Sequence, residues 1–435
     1  MNGISKIYER VISDQLMSYC EHVMSDFLCA FRKEHGCHTV LLKLVEDWKA
    51  ALDDKKVVGA MLMDLSRAFD CLPHRLLLAK LSAYGLDDKA CNLLMSYLRK
   101  RQQRVKVGMT KSDWTTILKG IPQGSILGPL LFNIFINDLL FSLTQMNSCT
   151  IYNYADDNSI SFASHSLDDV KINVERSTEV CLNWFMQNHM QANPAKFQSM
   201  ILGNVPQQKR DTFTFKVGNE NISPSDTVKL LGIHMDSKLN FDKHIQTICR
   251  RAASQLKALF RLRKALTIGN KMNILNGFIL AHFNYCPVVW HHCGLTNSRK
   301  IEKIQERGLR FVYNDFESTY NQLLEQSNKN LLYVSRIKSI ACEAYKSINH
   351  VGPPLLHDMI KVKDITNNLR DEFRAIQKKT NSTRHGLKSF QYEGAKIWNN
   401  LPINIKQSTS YKHFKCLISK WDGPQCKCGA CILCL

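Results

Sequence analysis

The sequence predicts an α+β protein: an antiparallel sheet with helices on one face, followed by a mostly helical C-terminal region. Two observations carry this. From residue 57 to residue 203, segments of strand and helix period alternate in the order strand, helix, hairpin, helix, hairpin, helix, strand. Beyond about residue 240 that alternation gives way to helical, basic sequence. At 435 residues the chain is long enough for two or three domains with real cores.

ISKIYERVISDQLMSYC carries Ile4, Ile7, Val11, Ile12 and Leu16 at helical spacing. FRKEHGCHT is a basic segment containing a glycine, and TVLLKLVEDWKAALDD reads as a second amphipathic helix. KVVGAMLMDL is a continuous apolar run that ends in Asp64, as in a buried strand. SRAFDCLPHRLLLAKLSAYGL returns to helix with Pro73 near its first turn. QQRVKVGMTKSDWTTILKG alternates as a hairpin does, with Gly108 near the turn. IPQGSILGPLLFNIFINDLLFSL is a loop followed by a long helix, and SCTIYNYADDNSISFAS is a hairpin with Asp156 and Asp157 at its tip. LDDVKINVERSTEVCLNWFMQNHM is helix, KFQSMILG is strand, and TVKLLGIHMD is strand again.

Lys and Arg number 58 against 38 Asp and Glu, a formal net charge of +20. Such a balance points to a polyanionic partner, nucleic acid first, with a plainly basic globular protein as the alternative. The N-terminus lacks the apolar core of a signal peptide. The most apolar stretches, GSILGPLLFNIFINDLLFSL and ILNGFILAHFNYCPVVWHH, are interrupted by Asn, Asp or His, so no bilayer span is expected. The sixteen cysteines lack regular spacing through most of the chain. They read as reduced thiols of an intracellular protein of the nucleus or cytoplasm.

Two adjacent aspartates in a strand would point to opposite faces. At a hairpin tip the alternation breaks, and Asp156 and Asp157 can act together. Carboxylates so close resist ionising, and a divalent cation removes that penalty. Asp64, at the end of the buried strand, is the third carboxylate; its plainer role would be to cap the helix that follows. Three such groups suit two hard cations ~3.5–4 Å apart. In the C-terminal half, Lys243 to Lys264 contains seven basic residues and no acidic one. Ile245, Ile248, Ala252, Leu256 and Leu259 form one apolar stripe, leaving Arg250, Arg251, Lys257 and Arg261 for a nucleic-acid backbone. In the tail, Cys426, Cys428, Cys431 and Cys434 are four thiols within nine positions, a candidate zinc set. Its spacing is tighter than that of common structural zinc sites.

Taken in order, MLMDLSRAFD, GIPQGSILGPLLFNIFINDL and YNYADDNSI resemble motifs A, B and C of a reverse transcriptase of LINE-type (non-LTR) retrotransposons, jockey-like and X-element-like. FRKEHGCHT, NPAKFQSMILG, VKLLGIHMD, HFNYCPVVW, KIEKIQERGLRFVY and TRHGLKSFQYEGAKIWNNLP extend the resemblance over nearly the whole chain. It implies a right-hand polymerase of fingers, palm and thumb that extends a DNA primer with dNTPs on an RNA template, the element's own RNA, using two Mg²⁺ (or Mn²⁺) ions. It makes Asp64, Asp156 and Asp157 the catalytic metal ligands. Phe69 would lie against the incoming sugar, Gln123 and Gly124 would open motif B beside the templating pair, and Arg32 and Lys33 would meet the triphosphate. Lys196 stands at the motif D lysine, though Phe197 follows it where Thr is usual. Leu231 and Gly232 resemble the primer grip.

The expected organisation is partial fingers over 1–60, a fingers and palm core over 57–240, a basic helical thumb over 241–330, a helical region over 331–421 and a Cys-rich tail over 422–435. The family's N-terminal endonuclease has no counterpart, so the chain resembles the C-terminal part of a retrotransposon protein. A nucleic-acid-binding remnant without turnover is the rival reading; the WNNLP region argues against maturase or telomerase kinship.

Overall fold

The computed structural model describes residues 3–146, 149–363 and 373–424. They fall into two compact units: Met1–Gly36 with Val57–Ser225, and Cys37–Lys56 with Asp226–Leu435. Cys37–Lys56, expected with the fingers, thus groups with the C-terminal half.

The first unit is built on an antiparallel sheet whose central strand is Val57–Ser66. On one side it pairs with Asp157–Ser164, which is joined by a tight turn to Thr150–Tyr154. On the other it pairs with Gln198–Leu202 and, at its end, with Gln191–Ala192. Neighbouring side chains of a strand face opposite ways. Val57, Met61, Met63 and Leu65 therefore enter the main apolar core, and Asp64 faces the other side. The strand's Gly59 belongs to the core face. A β-carbon there would meet Val170 Cγ1 on helix Leu167–Gln187, so the missing side chain lets helix and sheet close together.

Helix Leu127–Gln145 is buried nearly all round. By length and composition alone it is apolar enough to cross a bilayer, but 72% of that apolar window is buried inside the protein, as in a core helix. Two buried asparagines tie it to the rest of the unit, although Asn133 Oδ1 finds no partner among the described residues. Asn133 Nδ2 donates to the Ala30 carbonyl at 2.6 Å. Asn137 accepts from the Ser25 N–H at 2.8 Å and donates to the Val23 carbonyl and to Tyr84 Oη. At its N-terminus, buried Glu9 accepts from the N–H groups of Ile126 and Leu127 at 2.7 and 3.3 Å, a carboxylate on the positive end of a helix. The helix carrying Glu9, Gly3–Cys20, forms as expected, but only the C-terminal part of its apolar stripe meets the core: Leu16 is buried and Ile12 packs against it, whereas Ile4 is 79% exposed and Ile7 and Val11 are exposed too. Periodicity predicts a helix; it does not say which face finds a partner.

In the second unit, Asp242–Phe260 packs against Leu295–Tyr313, and Leu332–Ile348 against Phe390–Asn399 and Tyr411–Lys420. Helix Cys37–Asp53 joins this unit: the Asp53 carboxylate accepts from the backbone N–H groups of Asn381 and Ser382 and from the Ser382 hydroxyl. TVKLLGIHMD is not one strand but a hairpin, Thr227–Leu230 with Ile233–Asp236. Leu231 and Gly232 make its two-residue turn with φ of 45° and 82°, the positive pair such turns require. The twelve described cysteines are free thiols. The tail's Cys426, Cys428, Cys431 and Cys434 lie outside the described residues.

Gly59→Ala should destabilise the first unit by about 1–3 kcal/mol through overpacking against Val170, read as a lower thermal midpoint. An unchanged midpoint would mean that helix and sheet can separate without cost.

Candidate active site

The hairpin answers why two aspartates stand side by side. Tyr154 and Asp157 are its last paired residues, so Ala155 and Asp156 form a two-residue turn, with Ala155 at φ 57°. Asp156 is thereby freed from strand alternation, and Asp157 opens the returning strand. Asp157 lies directly opposite Asp64 in the register. Opposed residues on antiparallel strands share a face, with Cα atoms about 4.5–5.5 Å apart.

A buried amide clasp beneath the turn holds it. Asn153 and Asn158 are cross-strand partners, both fully buried. Asn153 Nδ2 donates to Asn158 Oδ1 at 3.0 Å and to the Ala155 carbonyl at 2.8 Å, and Asn158 Nδ2 donates to the Asp156 carbonyl at 3.2 Å. The segment before Phe31 braces the same place: the Asn153 N–H donates to the Phe27 carbonyl, and the Cys29 N–H to the Asn153 carbonyl. These two asparagines were not singled out from the sequence. Their signal is symmetric placement about the turn, legible only once the hairpin register is known.

The carboxylates share one field. Burial, then the charges of Asp156 and Asp64, push Asp157 up to about 6. Burial and then Asp64 raise Asp156. They are neighbours rather than a closed ligand set: among the described residues no three His, Cys, Asp or Glu side chains already converge as metal ligands.

Phe69, Gln123 and Gly124 are brought together in a pocket of about 220 Å³, walled also by Ile121, Ser125 and Pro129. The Phe69 ring stacks on Phe132 with centroids 4.5 Å apart and meets the edge of Phe31. Gly124 has φ 75°, and a β-carbon there would touch nothing within 4 Å; backbone conformation accounts for this glycine. Gln123 Nε2 donates to the Asp70 carboxylate at 3.0 Å. Beyond Asp70 a wider cleft of about 640 Å³ is lined by Arg67, Arg101 and Lys119. The sequence reading missed these cations because they come from two separate segments.

Other expected residues are placed differently. Arg32 is buried: its guanidinium pairs with Glu21 at 2.6 Å and donates to the Ser25 and Leu28 carbonyls. In this arrangement it clips its own segment together. Lys33 is exposed, as is Lys196 on the short turn Pro194–Lys196. In the second unit, half-exposed Leu231 gives its carbonyl to Tyr285 Oη at 2.7 Å. On helix Asp242–Phe260, Ile245, Ile248, Ala252 and Leu256 are buried, while Arg250, Arg251 and Lys257 are exposed; Arg261 follows the helix end and is also exposed.

The raised Asp157 has a consequence for stability. With a folded-state pKa near 6 against an ordinary 3.8, the folded chain holds more protons than the unfolded one between those values. Stability should fall as pH rises through that window, and the cost is fully present above it. In chelator, Asp157→Asn should therefore raise the thermal midpoint at pH 8 by about 2–4 °C. The gain should vanish near pH 4; a gain independent of pH would assign it to packing rather than charge.

Comparison with known proteins bears on the family. Residues 1–235 match the family model described as reverse transcriptase (RNA-dependent DNA polymerase). The RNA-directed DNA polymerase from mobile element jockey of Drosophila melanogaster is 26% identical over 320 residues, 71% of this chain and 34% of the relative. The Pol polyprotein of the type-1 retrotransposable element R2 of Popillia japonica is 27% identical over 196 residues, 42% of this chain and 31% of the relative. The matches thus span about a third of these relatives' length. Among solved structures, apo telomerase from Candida tropicalis superposes with a TM-score of 0.40 at 11% identity, covering 74% of this chain and 52% of that one. With its matched segment taking in more than half of its residues, the chain belongs to the reverse transcriptase (RNA-dependent DNA polymerase) family.

Proposed function

We propose that this chain is the RNA-directed DNA polymerase part of a non-LTR retrotransposon protein, extending a DNA primer with dNTPs on the element's RNA. The observation that carries this reading is the register placing Asp64 opposite Asp157, with Asp156 at the adjoining turn. The jockey-like relatives and the family match support it.

The donor set fits divalent cations: three carboxylates are hard oxygen ligands, and their mutual repulsion and burial favour a cationic neighbour. Asp64, Asp156 and Asp157 would hold two Mg²⁺ or Mn²⁺ ions. When bound, such a pair would activate the attacking hydroxyl and stabilise the leaving pyrophosphate. The primer 3′-oxygen forms a bond to the α-phosphorus of the dNTP, and the bond from that phosphorus to the bridging oxygen breaks. The chain's own contribution is positioning. The amide clasp fixes the turn that carries Asp156, and Phe69 and the Gln123–Gly124 loop form the wall for sugar and base. With Arg32 turned inward, Arg67, on the turn that follows Asp64, is the better-placed cation for the triphosphate. Lys33 and Lys196 remain exposed candidates for the same charge, Leu231 and Gly232 for the primer strand, and Arg250, Arg251, Lys257 and Arg261 for the duplex backbone.

Asp156→Asn should reduce extension of oligo(dT) on poly(rA) by at least ~10³-fold while primer–template binding persists. Mg²⁺ should raise the thermal midpoint of the parent more than that of the variant. Near-normal extension by Asp156→Asn would remove the assignment; a parent that binds primer–template but never extends it would favour the silent remnant.

Phe69 offers a test of sugar selection. A flat ring under the sugar excludes a 2′-hydroxyl by clash. Phe69→Val should leave dNTP extension within about tenfold of the parent, a barrier change of ~1.4 kcal/mol. Ribonucleotide incorporation should rise by at least that factor relative to dNTPs. A fixed ratio in a folded, active variant would make Phe69 packing for Phe132 only.

A further inference from the structure

We propose that the hairpin from Arg99 to Lys119 is a second nucleic-acid contact, a cationic arm that takes the unpaired RNA template strand ahead of the active site. The proposal rests on the reading of the Gln123–Gly124 loop as the place of the templating base pair. The arm carries seven basic residues and one acidic residue, Asp113. Every residue from Gln102 to Thr116 is exposed. Two short ladders hold it, Gln102–Gln103 with Thr115–Thr116 and Lys106–Val107 with Thr110–Lys111, with Val105 and Ser112 bonded between them. A two-stranded hairpin of this kind is marginal by itself.

Its register gives the arm two unlike faces. Lys106 stands directly opposite Lys111. Like charges so placed destabilise a bare ladder, and a phosphate between them would reverse the sign. Arg104 lies 4.4 Å over the ring of Trp114, which is 56% exposed. In extended chain Arg104 and Lys106 project the same way. One face therefore combines a flat aromatic with three or more cations. Base stacking on an aromatic beside a cationic track is how unpaired nucleic acid is held without sequence preference. In a duplex the base faces are already stacked, so the ring suits a single strand better. The other face presents Val105 and Val107, with Met109, 95% exposed, at the tip.

The arm's root fixes its direction. Arg101 donates to the Gly120 carbonyl at 3.1 Å, and the Ile117 N–H to the Arg101 carbonyl. Arg101 and Lys119 line the same cleft as Gln123. A strand leaving the Gln123–Gly124 loop through that cleft meets the arm next, and ahead of the templating pair that strand is RNA.

The test uses the full chain, with Trp114→Ala and with Lys106→Gln/Lys111→Gln. Binding is measured to primer–template hybrids with unpaired template RNA of about two or about fifteen nucleotides. The parent should bind the long overhang more tightly. Trp114→Ala should lose at least about fivefold of that gain, and the lysine variant should lower the salt slope by about 1.4. Both should bind and extend the short-overhang hybrid as the parent does. Unchanged binding to the long overhang overturns the proposal, as does an equal loss on both hybrids. A loss confined to hybrids bearing unpaired DNA at the far end also overturns it. So does a changed oligomeric state with RNA binding intact, which would make the Val105–Met109 face a contact between copies. A parent that shows the overhang gain, lost in the variants, yet never extends a primer would keep the arm and remove the polymerase reading.

Discussion

One constraint organises the first unit: three carboxylates of like charge must be held together at the ends of neighbouring strands of a buried sheet. Left to themselves they would separate or protonate; burial first, and the charges of Asp156 and Asp64 after it, push Asp157 upward. The backbone resists it. The hydrogen-bonded register from Val57–Ser164 to Asp64–Asp157 makes their proximity a property of the whole ladder rather than of one rotamer. A slip of one residue would send Asp64 into the apolar face. The core residues Met61, Met63 and Ile160 guard against that slip, since each would be carried into the wrong layer.

The surrounding polar groups are built for the same end. Asn153 and Asn158 spend their amides on the turn carbonyls. Asn133 and Asn137 tie the buried helix Leu127–Gln145 to the Val23–Ala30 segment. That segment in turn pairs with Asn153. Buried amides left unbonded would each cost about 1–3 kcal/mol, so these bonds fix one arrangement among many apolar packings. Arg32 serves the same segment from within. This is why a residue that reads as a phosphate ligand in a basic stretch is found clasping Glu21 and two carbonyls instead.

Many of the chain's cations lie at the surface rather than in ion pairs of the core. The cations around the 640 Å³ cleft, on the Arg99–Lys119 arm and on helix Asp242–Phe260 are turned outward over apolar or hydrogen-bonded supports. A net charge of +20 is thus spread over several surfaces, each able to meet a polyanion by long-range attraction.

The sequence by itself determined much of this protein. Its alternating periods predicted the succession of strands and helices and an antiparallel sheet, because burial on one or both faces leaves a period that survives in the letters. The resemblance of its ordered motifs singled out Asp64, Asp156, Asp157, Phe69, Gln123 and Gly124; the structure brings Asp64 opposite Asp157 and gathers the last three around one pocket. The apolar stripe of Ile245, Ile248, Ala252 and Leu256 was legible for the same reason as the strands. Tertiary structure decided what depends on partners distant in the chain. Only folding showed that Ile4, Ile7 and Val11 stay exposed, that Arg32 finds Glu21, and that Cys37–Asp53 joins the C-terminal unit through Asp53 and Ser382. Only the register revealed the Asn153–Asn158 clasp, and only the meeting of two segments assembled Arg67, Arg101 and Lys119. Local periodicity records whether a residue is wanted inside; it carries no address for the group that will meet it there.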